Sequence, residues 1–147
     1  MTGIPSILDV TVGFQVNRLA TLIRRQLARA LRPYGLNAER WQILAAVVEA
    51  HPEHLSQSDI ARLVLKDRYA VSRMIDKMVA DGWIERQSDP VHGRIQRIAA
   101  TPEAMDRFDD VRAALVAGFA DLRTALSASD RRELMRITSQ LIAVLDQ

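Results

Sequence analysis

The 147-residue chain contains no cysteine, which excludes disulfides, thiolate metal sites, thiol nucleophiles and thiol-based peroxide sensing together. It has only three histidines, and none stands beside a Ser or carboxylate in a recognisable catalytic array. His51 and His54 are three apart, but Pro52 interrupts any helix there and no carboxylate cluster accompanies them, so they read as surface residues rather than zinc ligands. A Gly-rich phosphate loop is also missing. Neither an enzyme nor a bound cofactor or metal is therefore expected. No run approaches the roughly 18 consecutive apolar residues of a membrane span, and the opening MTGIPSILDV lacks a basic region followed by an apolar stretch. These absences point to a cytoplasmic protein with no membrane partner. Net charge is a modest +2, which by itself does not announce a nucleic-acid binder, although the sequence pI near 9.5 leans that way.

What is present suits one soluble domain spanning residues 1–147, with 48% hydrophobic and 26% charged residues and no internal repeat. From Asp9 to Arg32, Val12, Val16, Leu19, Ile23, Leu27 and Leu31 recur at steps of three and four, predicting one long amphipathic helix stopped at Pro33. Asn37 is an N-cap for a second helix over Ala38 to Ala50. Ser56 with Asp59 forms a capping-box start for a short helix turning Ile60, Leu63 and Val64 inward. Asp67 caps the next helix, which runs to about Asp81 and ends at Gly82, and the two short helices fit a helix-turn-helix.

Beyond Gly82 the helical period breaks. Trp83 to Gln87 reads as a strand, Ser88 to Gly93 as a turn-rich loop, and Arg94 to Ala100 as a returning strand. Thr101 and Pro102 open a helix whose stripe Met105, Phe108, Val111, Leu115, Phe119, Leu122 and Leu126 spans about six turns. Ser127 with Asp130 begins a last helix carrying Leu134, Ile137, Leu141 and Leu145. These long amphipathic helices at the two chain ends either form one intramolecular bundle or pack against a second copy of the chain.

This order of elements, with GLNAERWQILAAV, LSQSDIARLVLKDRYAVSRMIDKMVADGWIERQSDP and the TPEA of the fifth helix, resembles the MarR/SlyA family of winged helix-turn-helix transcriptional regulators. The resemblance covers nearly the whole chain. It implies a mainly α fold with a small β-hairpin wing, a winged helix-turn-helix lobe over 36–100, and dimerisation helices over 9–32 and 102–146. It further implies a homodimer acting on double-stranded DNA at a pseudo-palindromic operator, as a repressor. A winged-helix module that meets a protein partner instead is the alternative reading.

At about 100° per residue, Val71, Met74, Ile75, Met78 and Val79 gather on one face of the helix after Asp67, while Tyr69, Ser72, Arg73 and Asp76 share the other. Arg73 has the planar fork that binds guanine bidentately, and Ser72 can donate to a phosphate or a base edge. Amides at the start of this helix favour phosphate, with Lys66, Arg68 and Lys77 set for backbone contacts. By resemblance, Arg94 is the wing arginine that enters the minor groove. The family's Asp-x-Arg is replaced here by His92, Gly93 and Arg94, so the wing is held by Asp89 with Arg86 or else is more mobile. The resemblance also suggests a cleft for a small aromatic acid, with Trp41 lining it and Arg18 as carboxylate partner. Trp41 serves equally well as a core filler.

Overall fold

The computed structural model describes residues 7–146, so most of the opening segment read for a leader lies outside the described residues. Helix α1 (Ile7–Leu31) runs into a single 3-10 turn (Arg32–Tyr34), where Pro33 cannot continue the α pattern and Gly35 at φ 68° reverses the chain. Helix α2 (Ala38–Ala50) starts where the Asn37 side chain accepts from the Arg40 amide. The capping box at α3 (Gln57–Val64) is complete: Asp59 N–H donates to Ser56 Oγ, and the Ser56 amide donates to the Asp59 carboxylate. Helix α4 (Arg68–Ala80) ends before Gly82, whose φ of 80° turns the chain into strand β2.

The wing contains more than a hairpin. β1 (Leu55–Ser56) joins β2 (Ile84–Ser88) and β3 (Gln96–Ala100) in an antiparallel sheet of order β1-β3-β2. Ile98 stands opposite both Leu55 and Arg86 and is fully buried, so the middle strand anchors the wing to the helical core. That core comprises Ile43 and Leu44 of α2, Ile60 of α3, Val71, Ile75 and Met78 of α4, Ile84, Ile98, and Val111 of the next helix. The predicted strands are thus shorter at their N-terminal ends than their sequence suggested, starting at Ile84 and Gln96.

After the Thr101 cap, the long helix expected through Leu126 is broken into α5 (Pro102–Gly118) and α6 (Ala120–Ala125), followed by α7 (Ala128–Leu145). The break has a cause. Gln26 Nε2 of α1 donates to the Gly118 carbonyl at 2.6 Å, and a Cβ on Gly118 would sit 3.4 Å from Ala30, so the chain turns where α1 comes close. The apolar stripes at the two ends remain uncovered: Val12, Phe14 and Val16 of α1 are more than half exposed, and α7 has no buried residue. A closed intramolecular bundle is therefore not what this chain forms by itself. None of the described helices is long and apolar enough to cross a membrane.

Candidate nucleic-acid interface

Helix α4 is presented as the sequence expects, with Val71, Ile75 and Met78 buried, Met74 and Val79 packed against them, and Tyr69 75% exposed. Arg73 is exposed one turn further along the same crest, while Ser72 is half-buried. The expected free amides at the start of α4 are not free. Asp67 accepts from the amides of Tyr69 and Ala70 at 2.9 Å each, and these bonds hold its carboxyl below the usual range, the Ala70 amide first. A carboxylate thus occupies the place where phosphate was expected, so charge on this helix must come from side chains.

Along α4 the wheel assigns Arg68 and Ser72 to one flank, Ala70 and Met74 to the other, and Tyr69 with Arg73 to the crest between them. On the first flank lies an open cleft of about 820 Å³ between α3, α4 and the wing. Gln57, Ser58 and Arg62 of α3 line it, with Arg68 of α4 and Arg94 and Gln96 of the wing. The structure thus brings Arg68 and Arg94 together, although they lie on separate elements of the chain. Arg68 also lies 5.9 Å from the Tyr69 ring centre. Gln57, Ser58 and Arg62 were missed by sequence reasoning, although they follow from α3 turning Ile60 and Val64 inward. On the other flank a smaller cleft of about 270 Å³ is lined by Glu39, Arg40, Lys66 and Arg73. Lys77 belongs to neither cleft and pairs with Asp81 at 3.1 Å near the end of α4.

The wing is held differently from the sequence expectation. Arg86 does not meet Asp89 but pairs with Asp76 of α4. The reason is strand parity: positions three apart on an extended chain point to opposite faces. Asp89 instead accepts from the amides of Val91 and His92 at 2.8 and 3.0 Å, and from Arg97 Nε at 2.8 Å. It is only 8% exposed. The His92 and Val91 amides, then Arg97, lower its pKa to about 2. Two backbone bonds between Asp89, His92 and Ile95 close the same loop, leaving His92 and Arg94 exposed at the tip. The wing is therefore braced from within by Asp89 and Arg97, and against the helix by Arg86 and Asp76.

Behind α2 lies a third cleft of about 740 Å³, lined by Ile23, Arg24 and Leu27 of α1, Trp41 of α2 and Leu63 of α3. Trp41 both lines this cleft and stacks on Phe108, ring centres 5.0 Å apart, so the ring is packed against the core while it borders the cleft. Arg18 is exposed but is not part of the lining; Arg24, further along α1, is. Among the described residues no group of three or more His, Asp or Glu side chains could hold a metal.

The fold has close counterparts. Residues 34–95, which contain α2 to the wing loop, match the sequence model of the MarR family. The chain is similar to CouR from Rhodococcus jostii RHA1, solved bound to p-coumaroyl-CoA, at 26% identity over 90% of this chain and 91% of that one, with a TM-score of 0.79. It is equally similar, at 26% identity over 92% and 94% of the two chains and a TM-score of 0.80, to a MarR-family transcriptional regulator from Rhodococcus sp. RHA1. A mutant MarR from E. coli, solved with operator DNA, shares the fold at a TM-score of 0.81 and 18% identity, over 95% of this chain and 99% of that one. With the exposed helix, the braced wing and these matches in agreement, the chain has the winged-helix fold of the MarR-family regulators it is similar to, and its residues 34–95 match that family's model.

Proposed function

We propose that this chain is a sequence-specific DNA-binding transcriptional regulator, a repressor acting as a homodimer on a pseudo-palindromic operator. The observation that carries the reading is the crest of α4: exposed Tyr69 and Arg73 stand between two cation-lined clefts, with Arg94 on a braced wing beside them. A helix of about 10 to 12 Å diameter fits the major groove. With α4 seated there, Arg73 reads a base edge, and Arg68, Ser72 and Lys77 lie along the backbone. Arg94 at the wing tip enters the adjacent minor groove. The lobe over 36–100 does this work, and the helices over 9–32 and 102–146 join the two copies. The uncovered stripes on α1 and α7 support that second role, since a solvated monomer rarely exposes so much contiguous apolar surface.

The rear cleft suits a small aromatic acid or its thioester, by analogy with the p-coumaroyl-CoA bound to CouR. Trp41 offers a stacking face, and Arg24 a cation in the lining. Only a ligand with different affinities for the two spacings of the lobes releases the operator. Quenching of Trp41 fluorescence by such acids, absent in Trp41→Phe, tests the site.

The deciding experiment is fluorescence anisotropy with DNA from upstream of the protein's own gene against a scrambled duplex, across a salt series. Preference for the native fragment with a steep salt slope is the expected result. Absence of binding at low salt would refute DNA binding and favour the protein-interaction module.

A further inference from the structure

The small cleft on the far flank of α4 carries charge that the crest and the wing do not account for. Arg40 comes from the first turn of α2, Lys66 from the turn between α3 and α4, and Arg73 from α4 itself. Arg40 is poorly satisfied there. Its Nη1 reaches the Gly35 carbonyl only at 3.4 Å, and its Nε is shut from solvent without an acceptor, the one side-chain N or O so placed among the described residues. The guanidinium thus makes one long hydrogen bond and no ion pair among the described residues, which leaves its Nη donors at the cleft to take an acceptor from outside. Two carboxylates stand near. Asp67 is already held by two amides, whereas Glu39 lines the cleft and pairs with Lys66 at a loose 3.6 Å.

We propose that Arg40 and Lys66 form a phosphate seat for the DNA strand on the far side of the major groove from the wing. The proposal rests on the DNA-binding reading above. A helix that fills a groove about 12 Å wide has a phosphodiester wall on each flank. The wing-side cleft, with Arg62, Arg68 and Arg94, faces one wall. Arg40 and Lys66 face the other, and Arg73, on the crest at the margin of their cleft, stays free to read a base. The phosphate accepts from the Nη donors of Arg40, and Lys66 exchanges a weak pairing with Glu39 for the phosphate. Both cations work without regard to sequence.

The test is anisotropy with the full-length protein on the operator and on a scrambled duplex over a salt series. Arg40→Gln is expected to weaken binding by a similar factor on both duplexes and to lower the log-log salt slope by about one. Arg40→Lys, which keeps the charge, retains the slope. Glu39→Gln releases Lys66 and is expected to tighten binding to both duplexes, an effect of opposite sign that a merely structural role for Arg40 would not produce. An unchanged slope in Arg40→Gln, or an unchanged affinity in Glu39→Gln, on DNA that the unsubstituted protein binds would overturn the seat alone. If the unsubstituted protein binds neither duplex, the DNA-binding reading falls and the seat with it.

Discussion

Arg73→Ala separates base reading from charge. Arg73 is exposed on the crest of α4, where Arg and Ala have similar helix propensity, and the ion pairs of that helix are made by Asp76 and Lys77 instead. Stability should therefore change by less than about 0.5 kcal/mol, the usual range for such surface sites. On the operator the variant loses a bidentate base contact of about 1 to 3 kcal/mol, or about 5- to 150-fold in affinity. On a scrambled duplex only one exposed charge is lost, so the decrease there stays within about fivefold. Arg73→Lys sharpens the comparison, because an ammonium keeps the charge and lacks the fork. It is expected to match the unsubstituted protein on scrambled DNA and to approach the alanine variant on the operator. Anisotropy on both duplexes at one fixed salt concentration, with thermal denaturation as control, reads all of these. Equal losses on the two duplexes, or full rescue by lysine, would refute base reading and make Arg73 a backbone contact.

Three further outcomes are expected. Leu141→Glu sets a charge in the middle of the uncovered α7 stripe, where Leu141 is 48% exposed, and should convert a dimer to a monomer in sedimentation at micromolar concentration; an intact dimer would show that α7 is not the interface. The Asp89 carboxyl, lowered to about 2 from the ordinary 3.8 by its two amides and Arg97, contributes its full stabilisation above about pH 4 and loses it as pH falls through about 2. The amide resonances of Val91 and His92 should follow that low midpoint, and a midpoint near the ordinary 3.8 would contradict the assigned bonds. Gly82→Ala forces a side chain into φ 80° with open space around it, so the cost is backbone strain alone, about 1 to 2 kcal/mol and a drop of several degrees in Tm. Gly93→Ala, where φ is not positive and space is equally open, is the neutral control, and equal stability in the two variants would count against the left-handed turn.

Sequence reasoning succeeded where the chemistry is local. Asn37, Ser56, Asp67, Thr101 and Ser127 each accept from an amide two or three residues onward, so these five helix starts are written within a few positions. The buried face of α4 follows from a single period for the same reason. Features that depend on distant partners were not legible. A two-residue strand has no periodicity, and β1 exists only because Leu55 and Ser56 meet Ile98 and Arg97. The apolar stripe runs straight through Gly118, so nothing local records that Gln26 takes its carbonyl from 92 positions away. Strand parity keeps Arg86 from Asp89, but that Arg97 takes its place depends on the pairing of β2 with β3. The cationic clefts are the extreme case. Residues 40, 66 and 73 line one, and 62, 68 and 94 another, while each arginine alone resembles the solvated faces on which most of the chain's charges lie. A DNA-binding surface built from isolated cations on separate elements has no linear signature, so its outline emerges only when the fold has brought those elements together.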